Sequence, residues 1–171
     1  MKAGKHSRAC MPNTVRLLLR LIALALMLWL FFGVAFGAMR APNNDMWPRV
    51  DMGDLLLFFR LDRDFRAKEV VALEKDGKRF VGRVVACPGD TVEVSDSETL
   101  MLNGYVLVEP EIYEATPRYE GFLEYPVTLK EGEYFILVDA RDGGEDSRYY
   151  GVVTEKEILG KVVTLVRRNG L

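Results

Sequence analysis

From Leu21 to Met39 the chain reads LIALALMLWLFFGVAFGAM, nineteen residues without a charge. As a helix this run rises roughly 28 Å, close to the ~30 Å hydrocarbon core of a bilayer, so it predicts one membrane-spanning helix over 21–39. Lys2, Lys5, Arg8, Arg16 and Arg20 precede it, and no acid appears before Asp45. By the positive-inside rule, residues 1–20 form a basic cytoplasmic segment and residues 40–171 an extracytoplasmic domain. The expected location is the cell membrane, single-pass, with the N-terminus cytoplasmic. A cleaved secretory signal is the competing reading, because Ala35 and Gly37 suit a cleavage site. Against it, a signal's apolar region runs about 7–15 residues, shorter than this one.

Six of the 23 basic residues lie at or before Arg40, leaving 17 against all 25 acids. A net charge of about −8 on the outer domain argues against nucleic acid as a partner. Cys10 and Cys87 fall on opposite sides of the expected membrane and cannot pair within one molecule. Cys87 reads as a small apolar filler beside a turn, with a reactive thiol as the alternative. The only histidine, His6, lies on the inner side, which leaves the outer domain without a Ser-His or Cys-His pair and without an imidazole metal ligand. The stretch DARDGGED (139–146) lacks the ligand spacing of an EF-hand loop. No metal and no cofactor is expected.

Beyond Gly53 short apolar runs alternate with turn residues, the pattern of an all-β domain. LLLFFRL (55–61) and EYFILVDA (133–140) read as buried strands. EVVALE and RFVGRVVA flank KDGK as a hairpin; TLML and YVLVE flank Asn103-Gly104 as another, with TVEV between the two hairpins. KVVTLV (161–166) closes the sheet. Thr154 and Glu157 have the spacing of a capping box for one short helical turn. Residues 110–126, rich in proline and irregular, read as an excursion from the β framework.

These segments, in this order, resemble bacterial type I signal peptidases, membrane-anchored serine proteases with a Ser-Lys dyad. In that family the anchor is followed by Ser-Met-x-Pro, Gly-Asp, a Lys-Arg strand leading to Pro-Gly-Asp, an Asn-Gly hairpin, and a Gly-Asp-Asn-Arg segment with Asp-Ser-Arg and Gly. This chain carries Met46 and Pro48, Gly53 and Asp54, RVVACPGD (83–90), LNG (102–104) and VDARDGGEDSRYYG (138–151). The resemblance implies a mainly β outer domain of the signal-peptidase/LexA-like β-barrel type behind one transmembrane helix.

The departures fall where the family keeps its chemistry. The nucleophilic serine corresponds to Asp45 and the lysine base to Gly82. Asn43 stands at a position linked to oxyanion stabilisation, Val138 replaces the first glycine of the later box, and Gly144 replaces a serine that orients the lysine. The parent mechanism needs a desolvated, neutral lysine to take the serine proton, and Gly82 has no group to take one. Two carboxylates sharing a proton are another route to peptide hydrolysis. Here the resemblance assigns Asp139 to an ion pair with Arg83, which keeps it ionised. Asp146 and Arg148 match a second structural pair.

Within the family the pattern is most similar to the SipA-type proteins of Gram-positive pilus operons, where Asp and Gly replace Ser and Lys. The resemblance implies a non-catalytic chaperone or scaffold in sortase-dependent pilus assembly, with the membrane and a pilin subunit or the sortase as partners. The alternative is an active signal peptidase using a non-standard site. Asp45, Met46, Trp47 and Pro48 are the candidate groove, with Asp45 held by backbone N–H groups or a nearby cation; simple loop filling is the competing reading. Trp47 fits the membrane interface or a core position equally. Tyr113, Tyr119, Phe122 and Tyr125 read either as partner anchors or as aromatics packed on their own domain.

Overall fold

The computed structural model describes residues 12–119 and 121–167, so His6 and Cys10 lie outside the described residues. The chain divides after Ala35 into two units. The first contains α1, Asn13–Ala35, 23 residues and about 34 Å long. Its Leu, Phe and Trp side chains are exposed around the circumference, which suits lipid rather than a core helix. It is long and apolar enough to cross a membrane.

The helix lies earlier in the chain than the expected 21–39. Phe36–Arg40 form strand β1, which pairs antiparallel with β2, Leu55–Phe59. Apolarity alone does not distinguish a span from the edge strand that follows it. What separates them is pairing with a segment some twenty residues later. Gly37 permits that approach, because a Cβ there would lie within 2.3 Å of the Phe58 ring.

The second unit is mainly β and antiparallel throughout. Besides β1 and β2 it holds β3 (Val70–Lys75), β4 (Lys78–Ala86), β5 (Thr91–Val94), β6 (Leu100–Leu102), β7 (Tyr105–Val106), β8 (Val127–Thr128), β9 (Glu133–Leu137), a one-turn helix α2 (Ser147–Tyr150), β10 (Val153–Thr154) and β11 (Ile158–Val166). One sheet has the order β1-β2-β11-β3-β4-β9-β10 and the other β7-β6-β5-β8. The β3–β4 turn places Asp76 at φ 52° and Gly77 at φ 75°. Asn103-Gly104 repeats that geometry between β6 and β7, as the two Xaa-Gly signals predict.

The central strands are buried on both faces, which explains why they read as unbroken apolar runs. Val71 and Leu73 of β3 join Phe80, Val84 and Ile136 in one cluster. Ala72, from the opposite face of the same strand, joins Leu56, Phe58, Val81, Met46 and Val138. On β9, Phe135 and Leu137 face a third cluster with Val85, Val92, Val94 and Leu100. Thus β9 and the chain just beyond it touch all three.

One local expectation is corrected. Thr154 and Glu157 form no helix: Glu157 Oε2 accepts from the Thr154 N–H at 2.6 Å and hydroxyl at 2.8 Å, closing the turn from β10 into β11. The same side chains that box a helix start serve equally to tie a strand-linking turn. The helical turn is instead α2, whose N-cap, Asp146, accepts from the Arg148 N–H.

Residues 110–119 and 121–126 lie outside both sheets, and three of their aromatics contact the domain, Tyr119 and Tyr125 half-buried and Phe122 still 54% exposed. Tyr119 lies under the Arg148 guanidinium, Phe122 sits 4.5 Å from Tyr149, and Tyr125 meets Phe135. Tyr113 is the exception, 93% exposed. The buried Tyr125 hydroxyl has no hydrogen-bond partner among the described residues, and burial pushes its pKa up to about 12. Tyr125→Phe is therefore expected to raise stability by ~1 kcal/mol, read as a higher urea midpoint at unchanged m-value.

Candidate functional site

Two loops meet at the site, residues 41–54 between β1 and β2 and residues 138–146 between β9 and α2. Met46 anchors the first, 2% exposed and packed with Val138 and Val81. Burial of Met46 sets Asp45 against the second loop. The Asp45 carbonyl accepts from the Ala140 N–H at 2.8 Å. Its carboxylate oxygen Oδ2 accepts from Asn43 Nδ2 at 2.7 Å and from the Glu145 N–H at 3.4 Å.

Asn43 is thus turned onto Asp45, and its Oδ1 also accepts the Asp45 N–H. The alternative of a cation beside Asp45 does not describe these contacts, which come from an amide and a backbone N–H. Desolvation raises the Asp45 pKa; the Glu145 N–H opposes the rise, the charges of Glu145 and Asp146 add to it, and the Asn43 bond opposes it. Trp47, 60% exposed, and Pro48 point outward.

The sign of the pH effect follows from that direction. Asp45 binds its proton more tightly folded than unfolded, so ionisation costs stability as pH rises from about 4 through the folded-state pKa. Asp45→Asn removes the cost and keeps an acceptor for Glu145. The difference in Tm between Asp45→Asn and the parent protein is expected to favour the variant near pH 7 and shrink towards zero or reverse below pH ~4; thermal scans across that range check it.

Arg83 donates from Nε and Nη2 to the two oxygens of Asp139 at 2.8 and 2.6 Å, and from Nη1 to the Lys68 carbonyl. Both Asp139 oxygens are engaged, which leaves it poorly placed to share a proton with Asp45. Asp146 and Arg148 form a second two-pronged pair at 2.9 and 2.8 Å, both fully buried. Arg148 also donates to the carbonyls of Pro117 and Arg141.

Sequence reasoning missed Arg141. It is fully buried, donating to the Val138 carbonyl, the Thr116 hydroxyl and both oxygens of Glu109. Its place in the 138–151 segment was the available signal. An arginine in a loop otherwise reads as a surface charge.

Through Arg141 and Arg148 the excursion is bound to the site, and Tyr119 adds a hydroxyl donated to the Gly144 carbonyl at 3.2 Å. An Arg49–Glu111 ion pair joins the first loop to the same excursion.

The space expected for catalytic side chains is filled. A Cβ on Gly82, in the middle of β4, would stand 2.5 Å from Ile136 Cγ2 and 3.2 Å from the Leu137 carbonyl oxygen. A Cβ on Gly144 would stand 2.4 Å from Val138 Cγ2 and 3.0 Å from the Ala140 carbonyl oxygen. Val138 therefore occupies the volume that a residue-144 side chain needs.

The described serines are committed elsewhere. Ser147 is buried and its Oγ accepts the Ile136 N–H, while Ser95 and Ser97 bond to each other in an exposed turn. Cys87 is half-buried against the Phe65 carbonyl, and burial pushes its thiol pKa up, away from thiolate. The described residues hold no cluster of three or more His, Cys, Asp or Glu placed for a metal.

The chain belongs to the family described as signal peptidase, peptidase S26, which matches residues 13–166. It is 28% identical to a signal peptidase I of Bacillus licheniformis, over 85% of this chain and 83% of that one. It is 31% identical to a probable signal peptidase I-2 of a Synechocystis strain, over 70% of this chain and 58% of the relative. A crystal structure of a signal peptidase I from Enterococcus faecalis aligns with a TM-score of 0.47 at 28% identity, covering 59% of this chain and 97% of the other.

Proposed function

We propose that this chain is a non-cutting member of its family that holds a segment of an exported protein at the outer face of the membrane, as a chaperone or scaffold in sortase-dependent pilus assembly. On this reading α1 is a single-pass anchor in the cell membrane with its N-terminus cytoplasmic. A pilin subunit or the sortase is the partner, met by the surface around Asp45, Trp47 and Pro48; Met46, expected in that groove, is buried beneath it and holds the loop in place. The observation that carries the reading is the packing at the positions matching the lysine and its orienting serine. Ile136 and Val138 close that space, so the site has been reshaped rather than left with a missing group. The ion pairs Arg83–Asp139 and Asp146–Arg148 still support the loops around it. The pilus assignment draws on the Asp and Gly substitutions shared with SipA-type proteins.

An active peptidase with a non-standard site is the second reading, favoured by family membership and by the raised pKa of Asp45, a property general acids share. Incubating the purified full-length protein in detergent with a signal-peptide-bearing precursor separates the two. No cleavage is expected. Cleavage that disappears in Asp45→Asn overturns the proposal. In cells, deletion is expected to abolish pilin polymers while precursor processing continues; general processing defects point to the peptidase.

A further inference from the structure

The surface beside Asp45 carries more specific chemistry than a generic groove. Trp47 and Pro48 form one wall of a cleft of about 290 Å³; Ile112, Tyr113 and Glu114 form the other, with Asp139 among the lining residues. Trp47 and Tyr113 are among the exposed aromatics of the domain, at 60% and 93%. Large aromatics held out of a core in a cleft are the residues that most often anchor protein partners.

Charge selects among occupants. Asp139 is neutralised by Arg83, and Glu111 faces Arg49 in an exposed pair that a competing cation can replace. Glu114 accepts only a backbone N–H, from Asp142, and has no salt bridge among the described residues. The charged residues lining the cleft are Glu111, Glu114 and Asp139 against Arg49, so its rim carries an acidic excess. An anionic lipid surface is repelled by such a rim. A cavity near 300 Å³ is at the small end for ligands and suits about two side chains.

We infer that this cleft binds an extended segment of a partner protein bearing a lysine or arginine next to an aliphatic residue. The aliphatic side chain lies between Trp47 and Tyr113, and the cation meets Glu114 and displaces Arg49 from Glu111. The inference rests on the reading that the domain binds polypeptide without cutting it.

The chain has two tryptophans, so Trp29→Phe in the full-length protein in detergent leaves Trp47 as sole reporter. Capped octapeptides with a central Leu-Lys, Leu-Gln or Leu-Glu are titrated against its fluorescence. The Lys peptide is expected to bind at least tenfold tighter than the Gln peptide, the Glu peptide weakest, with the preference falling as salt rises. Glu111→Gln with Glu114→Gln should abolish the preference, and Tyr113→Ala, at a site too exposed to affect folding, should weaken all three.

Equal affinities, no saturable binding of any peptide, or a preference that survives the double glutamine variant overturns the inference. Charge-blind binding sinks it while leaving the chaperone reading intact. Cleavage of any peptide sinks the chaperone reading, and the order of KM values then reports the charge preference separately.

Discussion

Asp146→Ala is expected to destabilise the β domain by ~3–5 kcal/mol, because it strands a fully buried arginine cation without its partner. Three contacts go at once. The Arg148 guanidinium loses both carboxylate oxygens, α2 loses its N-cap, and the Val138 N–H loses its acceptor at 3.2 Å. Removing the positive charge as well, in Asp146→Ala with Arg148→Met, should recover part of the loss, since a paired deletion leaves no uncompensated ion. Urea unfolding of the single and double variants measures this. A single variant within ~0.5 kcal/mol of the parent would show that the pair does not hold the loop, against the usual penalty for a buried unpaired charge.

The second large effect concerns the dyad. Asp45→Ser with Gly82→Lys is expected to yield a destabilised protein that cleaves no precursor. A side chain at residue 82 collides with Ile136 in a packed cluster, where overpacking costs ~1–3 kcal/mol before any lysine amine is desolvated. Gly144→Ser, the next step towards the family pattern, collides with Val138. Val138→Ala should relieve that collision. The cycle of Val138→Ala and Gly144→Ser is therefore expected to show favourable coupling of ~1 kcal/mol or more. Cleavage is expected only when Ile136→Ala, Val138→Ala and Gly144→Ser accompany the two dyad changes. Efficient cleavage by the two-residue variant alone would show that the site is vacant rather than repacked.

Much of the domain was legible in the chain. The two Xaa-Gly hairpins, the apolar runs of β2, β3, β4 and β9, and the existence of one long apolar helix all follow from local pattern. The matching of Asp45 and Gly82 to the family's serine and lysine comes from the resemblance, not from local pattern. The end of α1 was not legible, because Phe36–Met39 are as apolar as the helix before them and become strand only by pairing with β2. Thr154 and Glu157 misled for a related reason: their hydrogen bonds suit a turn as well as a helix start.

The charged residues of the later loop divide the same way. Asp139 and Asp146 could be assigned ion pairs through the resemblance, whereas the burial of Arg141 depends on Glu109 and Thr116, some thirty residues earlier. Val138 and Gly144 looked like two separate losses. In the folded chain they are one steric exchange, with a methyl of the first standing where a side chain of the second would begin.

The long apolar helix and the strand content are properties of residue type and local spacing, and each is readable along the chain. Whether the space beside Gly82 and Gly144 is open or closed is a matter of volume shared by β4, β9 and the loop beyond. A glycine removes side-chain atoms, but what fills the space is chosen by neighbours brought in from elsewhere in the fold.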